Sequence, residues 1–248
     1  MSQFVLITGG SRGIGAATAL LAARRGYGVA VNYTANSLAA DEVVRQIRQA
    51  GGQAMAVQAD VAIEAQVMAM FEKIDAKFGR LDALVNNAGV VDQTTRVEDI
   101  TLARLRRMFE VNVFGSFLCA REAVRRMSTR HGGAGGAIVN VSSVAARLGA
   151  PGQYVDYAAA KGAIDTFTVG LAKEVAAEGI RVNAVRPGLI DTEIHASGGL
   201  PRRAWDLAPQ VPMQRPGSAE EIAEAIVWLL GDGASYTTGA LLDVTGGR

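Results

Sequence analysis

Short apolar runs alternate along this chain with longer amphipathic ones. Phe4-Val5-Leu6-Ile7, Val29-Ala30-Val31, Ala54-Met55-Ala56-Val57, Ala83-Leu84-Val85, Ala137-Ile138-Val139-Asn140-Val141, Val182-Asn183-Ala184-Val185 and Leu241-Leu242-Asp243-Val244 read as strands. Most are apolar at consecutive positions rather than alternating. That is the pattern of strands covered on both faces, as in a parallel sheet. Helical periodicity fills the intervals, over about 13–25, 36–50, 64–78, 101–130, 154–178 and 218–231. Ser218 with Glu221 three residues later forms a capping box at the start of the last helix. Strand–helix repetition predicts an α/β, doubly wound sheet of about seven parallel strands with helices on both faces. No linker, repeat or low-complexity tract divides it, so 1–248 is expected to be a single domain. Residues 188–212 lack periodicity and carry Gly198-Gly199, Pro201, Pro209 and Pro212. An irregular segment that long reads as a lid or binding loop.

Composition narrows the partners. The chain has 248 residues, 49% apolar and 20% charged, with a net charge of +1. Interspersed charge gives no footprint for nucleic acid or an anionic membrane. The chain opens Met1-Ser2-Gln3 without a basic leader, and no apolar stretch reaches the roughly 18 residues of a membrane span. With the single cysteine, Cys119, this predicts a cytoplasmic protein in a reducing compartment. No His/Cys cluster has metal-ligand spacing, so no metal is expected.

The first strand runs into Thr8-Gly9-Gly10-Ser11-Arg12-Gly13-Ile14-Gly15 and then a helix. Glycines let the backbone approach a pyrophosphate, and a helix N-terminus offers free N–H groups and a positive dipole end. The fold is therefore expected to be a dinucleotide-binding sheet of Rossmann type. The spacing is G-x-x-x-G-x-G, which alone is a weak signal beside a plain strand–helix turn. The second strand ends in Asn32-Tyr33-Thr34. No acidic residue stands there to bind ribose hydroxyls and repel a 2′-phosphate. Arg12 offers a guanidinium to such a phosphate. NADP(H) is therefore expected as the cofactor, in preference to NAD. The competing reading of Arg12 is a solvated loop residue.

Tyr157-Ala158-Ala159-Ala160-Lys161 opens a strong helical pattern, and residues four apart share a helix face. A phenol has an unperturbed pKa of roughly 10, so proton exchange near neutral pH requires roughly 4 kcal/mol of differential stabilisation. A neighbouring ammonium acts in that direction. A Tyr–Lys pair alone is commonplace on helix surfaces. Val139-Asn140-Val141-Ser142-Ser143, however, ends the fifth strand, where open α/β sheets place ligands. The Ser143 hydroxyl is a candidate to orient a substrate oxygen. Ser142 is the second candidate, with a turn residue as its plain reading.

Together these pieces resemble the short-chain dehydrogenase/reductase family in its single-domain branch. The matching residues are Thr8-Gly9-x-x-x-Gly13-x-Gly15, Asn86-Asn87-Ala88-Gly89, Ser143, Tyr157-x-x-x-Lys161 and Pro187-Gly188. The match extends from residue 3 to Gly246-Gly247, and within the family the chain resembles bacterial 3-oxoacyl-carrier-protein reductases and glucose-dehydrogenase-like members. The resemblance implies Tyr157 as acid/base, Lys161 holding the nicotinamide ribose and lowering the phenol pKa, and Ser143 positioning a carbonyl. It implies that Asn112 binds a water leading toward the lysine. It implies a cofactor site built from Gly9, Ser11, Arg12, Gly13, Ile14 and Gly15, from Asn32 and Tyr33, from Asp60 and Val61 at the adenine, and from Asn87, Ala88 and Gly89. Pro187, Gly188, Ile190 and Thr192 would close on the nicotinamide, beside Tyr157 and Lys161. A helix N-cap is the plain reading of Thr192. The interval from Ser143 to Tyr157 is one residue longer than is usual for the family, and the Pro151–Tyr154 loop is expected to absorb it. A homotetramer built through the helices near 101–130 and 154–178 and the C-terminal strand is implied as well.

The expected reaction interconverts a carbonyl and a secondary alcohol on a small molecule: a 3-oxoacyl thioester, a sugar or another ketone. A non-catalytic nucleotide-binding regulator would be expected to lack the Tyr or Lys. A sugar-nucleotide epimerase would need a larger substrate domain. His131 reads as solvated, His195 and Trp205 as lid residues, and Cys119 as a small core residue. The Arg104-x-Arg106-Arg107 and Arg125-Arg126 clusters read as solvated or interfacial helix faces.

Overall fold

The computed structural model describes residues 3–248, so Met1 and Ser2, where the expected domain begins, lie outside the described residues. Seven strands form one sheet: β1 (Phe4–Ile7), β2 (Gly28–Tyr33), β3 (Ala54–Gln58), β4 (Ala83–Asn86), β5 (Gly136–Val141), β6 (Ile180–Pro187) and β7 (Leu241–Val244). Their order is β3-β2-β1-β4-β5-β6-β7, and every pairing is parallel. Each apolar run became a strand because helices cover both faces. Helices α1 (Gly13–Arg24) and α2 (Ser37–Gln49) pack on one side with the late helix at Ala219–Leu230. On the other side lie α3 (Glu64–Phe78) and the helices at Gly115–Met127 and Val155–Val175. The order reverses between β1 and β4, and ligands of such sheets bind beyond the strand ends at that point.

The helix expected over 101–130 is interrupted. Helix α4 (Leu102–Phe109) passes into a π-turn, Glu110–Phe114, before α5 (Gly115–Met127). A Cβ on Gly115 would lie 2.6 Å from Val61 Cγ2, so only glycine lets α5 press on the loop after β3. After β5 come the short α6 (Ala145–Leu148) and the long α7 (Val155–Val175). The segment expected as a lid holds two single-turn helices, α8 (Ile194–Ser197) and α9 (Arg203–Asp206). The last helix, α10 (Ala219–Leu230), starts on the expected capping box: Glu221 N–H donates to Ser218 Oγ and Ser218 N–H to Glu221 Oε2. Among the described residues no helix is long and apolar enough to cross a membrane.

Two arginine expectations change. Arg104 is not solvated but donates twice to the buried Asp156 carboxylate. Arg126 bonds Asp75 and Glu122 and covers the Phe71 ring. Both tie helices together. Cys119 is buried and His131 exposed.

Candidate active site

The glycine turn is locked from below. Thr8 Oγ1 accepts the N–H groups of Asn87 and Ala88, at 2.9 and 3.0 Å. Asn87 Nδ2 returns bonds to the carbonyls of Thr8 and Gly9. The ends of β1 and β4 thus hold each other at the switch point. Gly9 and Gly13 adopt φ of +60° and +51°, where side chains are strained. A Cβ on Gly15 would lie 2.3 Å from the Gly9 carbonyl oxygen. No side chain caps α1, so its first N–H groups stay open to an anion. Ser11, Arg12 and Ile14 complete this rim. Arg12 is exposed, and no hydrogen bond or ion pair within the described residues engages its guanidinium. These features fit a dinucleotide pyrophosphate.

The adenosine end departs in part from expectation. Asn32 was expected to line it, but the residue is buried and its amide is fully engaged. Its Oδ1 accepts Gly9 N–H at 3.1 Å and its Nδ2 donates to Ala59 O at 3.0 Å. Asn32 therefore shapes the glycine turn, while the half-buried Tyr33 stands at the rim. Asp60 accepts Ala62 N–H with one carboxylate oxygen. Val61 packs its side chain on Gly115.

At the other end one cavity of about 460 Å³ gathers Ile14, Asn87, Gly89, Ser143, Tyr157, Lys161, Pro187, Gly188, Ile190 and Thr192. Ala88 packs against the sheet core instead. Helix α7 carries Tyr157 and Lys161 on one face. The Lys161 ammonium does not touch the phenol. It donates to Val141 O at 2.7 Å and lies 5.6 Å from the centre of the Tyr157 ring. Burial pulls its pKa down to about 8, against the pull of Asp165. Burial pushes the Tyr157 phenol up to about 12, with the Ser143 hydroxyl and the Arg203 charge acting the other way. The expected fall of the phenol pKa is thus reversed in the chain by itself, because a dry pocket disfavours phenolate. Ser143 Oγ accepts Ala145 N–H at 3.1 Å, which fixes its place at the end of β5.

Asn112 serves the backbone beside the site. It sits in the π-turn, wholly buried, and its amide clamps Val90: Oδ1 accepts Val90 N–H at 3.1 Å and Nδ2 donates to Val90 O at 3.0 Å. Its side-chain amide is thereby taken up by the backbone. A Cβ on Gly89 would come 2.8 Å from Asn112 Oδ1 and 3.7 Å from Lys161 Nζ, so Gly89 spaces the two. The Ser142 hydroxyl is engaged by Asp165, donating to its Oδ1 at 2.7 Å.

The segment 188–212 lies beside the cradle. A Cβ on Gly13 would lie 3.4 Å from Thr192 Cγ2. Thr192 caps no helix, since α8 follows Glu193 without a side-chain cap. His195 lines the cavity with one ring nitrogen on Ile190 O at 2.8 Å. Trp205 is largely exposed and bonds Asp191. Sequence reasoning missed Asp165, one turn beyond Lys161, although the same four-residue spacing marks it. It also missed Gln153, Tyr154 and Arg203, which no periodicity marks. Among the described residues no group of acidic, His or Cys side chains has metal-binding geometry.

Comparison with known proteins places this architecture. A family model described as enoyl-(acyl carrier protein) reductase matches residues 9–248. The uncharacterized oxidoreductase YgfF of Escherichia coli K12 is 61% identical over 243 residues, 98% of each chain. Cis-4-hydroxycyclohexanecarboxylate dehydrogenase of Sinomonas cyclohexanicum is 44% identical over 249 residues, 99% of this chain and 96% of that one. A doubly substituted Serratia marcescens short-chain dehydrogenase/reductase superposes with a TM-score of 0.91 at 36% identity, covering 99% of this chain and 97% of the other. The chain, with its parallel seven-stranded sheet, glycine turn and Tyr–Lys helix, belongs to the short-chain dehydrogenase/reductase family of oxidoreductases.

Proposed function

We propose that this protein is an NADP(H)-dependent oxidoreductase that interconverts a carbonyl and a secondary alcohol, with Tyr157 as the proton donor. The observation that carries this reading is the convergence of Ser143, Tyr157 and Lys161 on one cavity beside the open N-terminus of α1. A nicotinamide held there would supply or accept the hydride. The chain's own groups handle the oxygen. Ser143 hydrogen-bonds and orients it. Tyr157, neutral at physiological pH because burial raises its pKa, is loaded to donate a proton to an oxygen that gains charge. Lys161, fixed by Val141 O, holds a positive charge behind the phenol and would hold the cofactor ribose. Asn112 positions the Val90 backbone that walls this space. Residues 188–212 act as the lid, with Pro187, Gly188, Ile190 and Thr192 against the nicotinamide.

The free Arg12 guanidinium and the lack of a carboxylate at the end of β2 support NADPH over NADH. A screen of ketones, oxoacyl thioesters and sugars with NADPH, followed by absorbance loss, tests the reading. Reduction of at least one carbonyl class and tighter binding of NADPH than NADH are expected. Tighter NADH binding would overturn the cofactor assignment.

A further inference from the structure

Arg203 is a half-buried cation in the catalytic cavity without a carboxylate. It stands on α9 and lines the same space as Ser143 and Tyr157. Its guanidinium lies 5.3 Å from the centre of the Tyr154 ring and donates one hydrogen bond, to Gln153 Oε1. Other arginines withdrawn from water are paired. Arg104 holds Asp156, Arg126 holds Asp75 and Glu122, and Arg186 holds Asp165. Arg181 is satisfied instead by the carbonyls of Leu229, Leu230 and Gly231. Next door, Arg202 takes Asp206. Among the described residues no carboxylate lies within ion-pair distance of Arg203. Arg248 lines the same cavity and adds a like charge, which with burial lowers the Arg203 pKa.

A withdrawn guanidinium costs free energy unless an anion answers it, and a carboxylate matches its fork with two parallel bonds. Apolar side chains, among them Val91, Val144, Leu148 and Ile194, line the cavity that Arg203 shares with Ser143 and Tyr157. We infer that the substrate is an oxo- or hydroxy-carboxylic acid, whose carboxylate is held by Arg203 while an apolar body spans to Ser143 and Tyr157. The inference rests on the carbonyl–alcohol reading above and names the substrate class of that site. Arg203 is then a specificity residue. Tyr154 and Gln153 hold the guanidinium in place.

The test uses the full chain with NADPH and matched pairs, 4-oxopentanoate through 7-oxooctanoate, each against its methyl ester. An acid is expected to exceed its ester by about tenfold or more in kcat/KM, mainly through KM, the scale of one charge-assisted pair. In Arg203→Gln that preference should collapse toward unity, and Arg203→Lys should restore part of it. A fluorescence titration of NADPH checks that each variant is folded. Equal losses for acid and ester with a shifted pH profile would overturn the inference and make Arg203 a partner of the Tyr157 phenol. An acid and ester reduced equally well by the unaltered protein would also overturn it. In parallel, binding of hexanoate to the NADPH complex is measured calorimetrically. If no carbonyl of any class is reduced, the carbonyl–alcohol reading fails. Binding of hexanoate that Arg203→Gln abolishes would still support an anion site, and no binding would refute it.

Discussion

Tyr157 and Lys161 show why spacing alone gives neighbours but not protonation states. Four residues apart on one helix predicts proximity, and they are close. What the spacing does not contain is the desolvation that raises the phenol to about 12 and lowers the ammonium to about 8. The sign of the pH dependence follows. Below about 8 the Lys161 ammonium is present beside a protonated Tyr157, and both suit carbonyl reduction. As pH rises through that value the ammonium is lost, so kcat/KM for reduction should fall. Asp165 pulls the Lys161 pKa upward, bonded to Ser142 on one side and to Arg186 on the other. Asp165→Asn removes that pull. The falling limb of the pH–rate profile should then move to lower pH, with NADPH binding retained. A limb that stays in place would leave Asp165 a structural residue.

The strands were legible as elements because burial on both faces makes them apolar without alternation. The helices were legible through their period. The π-turn was not, because Glu110–Phe114 continues the helical pattern and one extra residue in the turn leaves no mark on it. The lid helices, each a single turn, carry no periodicity to read. On α5 and α7 a further feature concerns assembly. Phe114 and Phe117 are exposed at 54% and 46%, and Phe117 stacks on Phe167 at 3.8 Å between centroids. An apolar face of that kind fits a contact between copies of this chain, and the homotetramer is the assembly expected of it. Light scattering should give about four times 25.9 kDa. Phe117→Glu should lower the assembly order. A monomer at micromolar concentration would contradict this.

Across the whole molecule, the C-terminal strand ends collect chemistry that is scattered in sequence. The glycine turn after β1, Asn87 after β4 and Ser143 after β5 meet α7 and the lid there. That gathering was legible once the doubly wound order was inferred, because such sheets bind at that edge. The side-chain amides of Asn32 and Asn112 bond the backbone around them, which their place in the sequence did not reveal. A polar residue at a strand end or in a helix can equally serve the backbone around it, and only the hydrogen-bond partners decide. Arg203 was invisible because an arginine beside another in an aperiodic segment looks solvated until the fold turns it inward. The central claim is that Tyr157 supplies the proton. Its most direct test is NADPH oxidation by Tyr157→Phe against the best carbonyl from the screen, with NADPH binding measured on the same sample. Binding should persist while turnover falls by about 10²-fold or more, the scale of a lost general acid. Full turnover with NADPH bound would contradict the account.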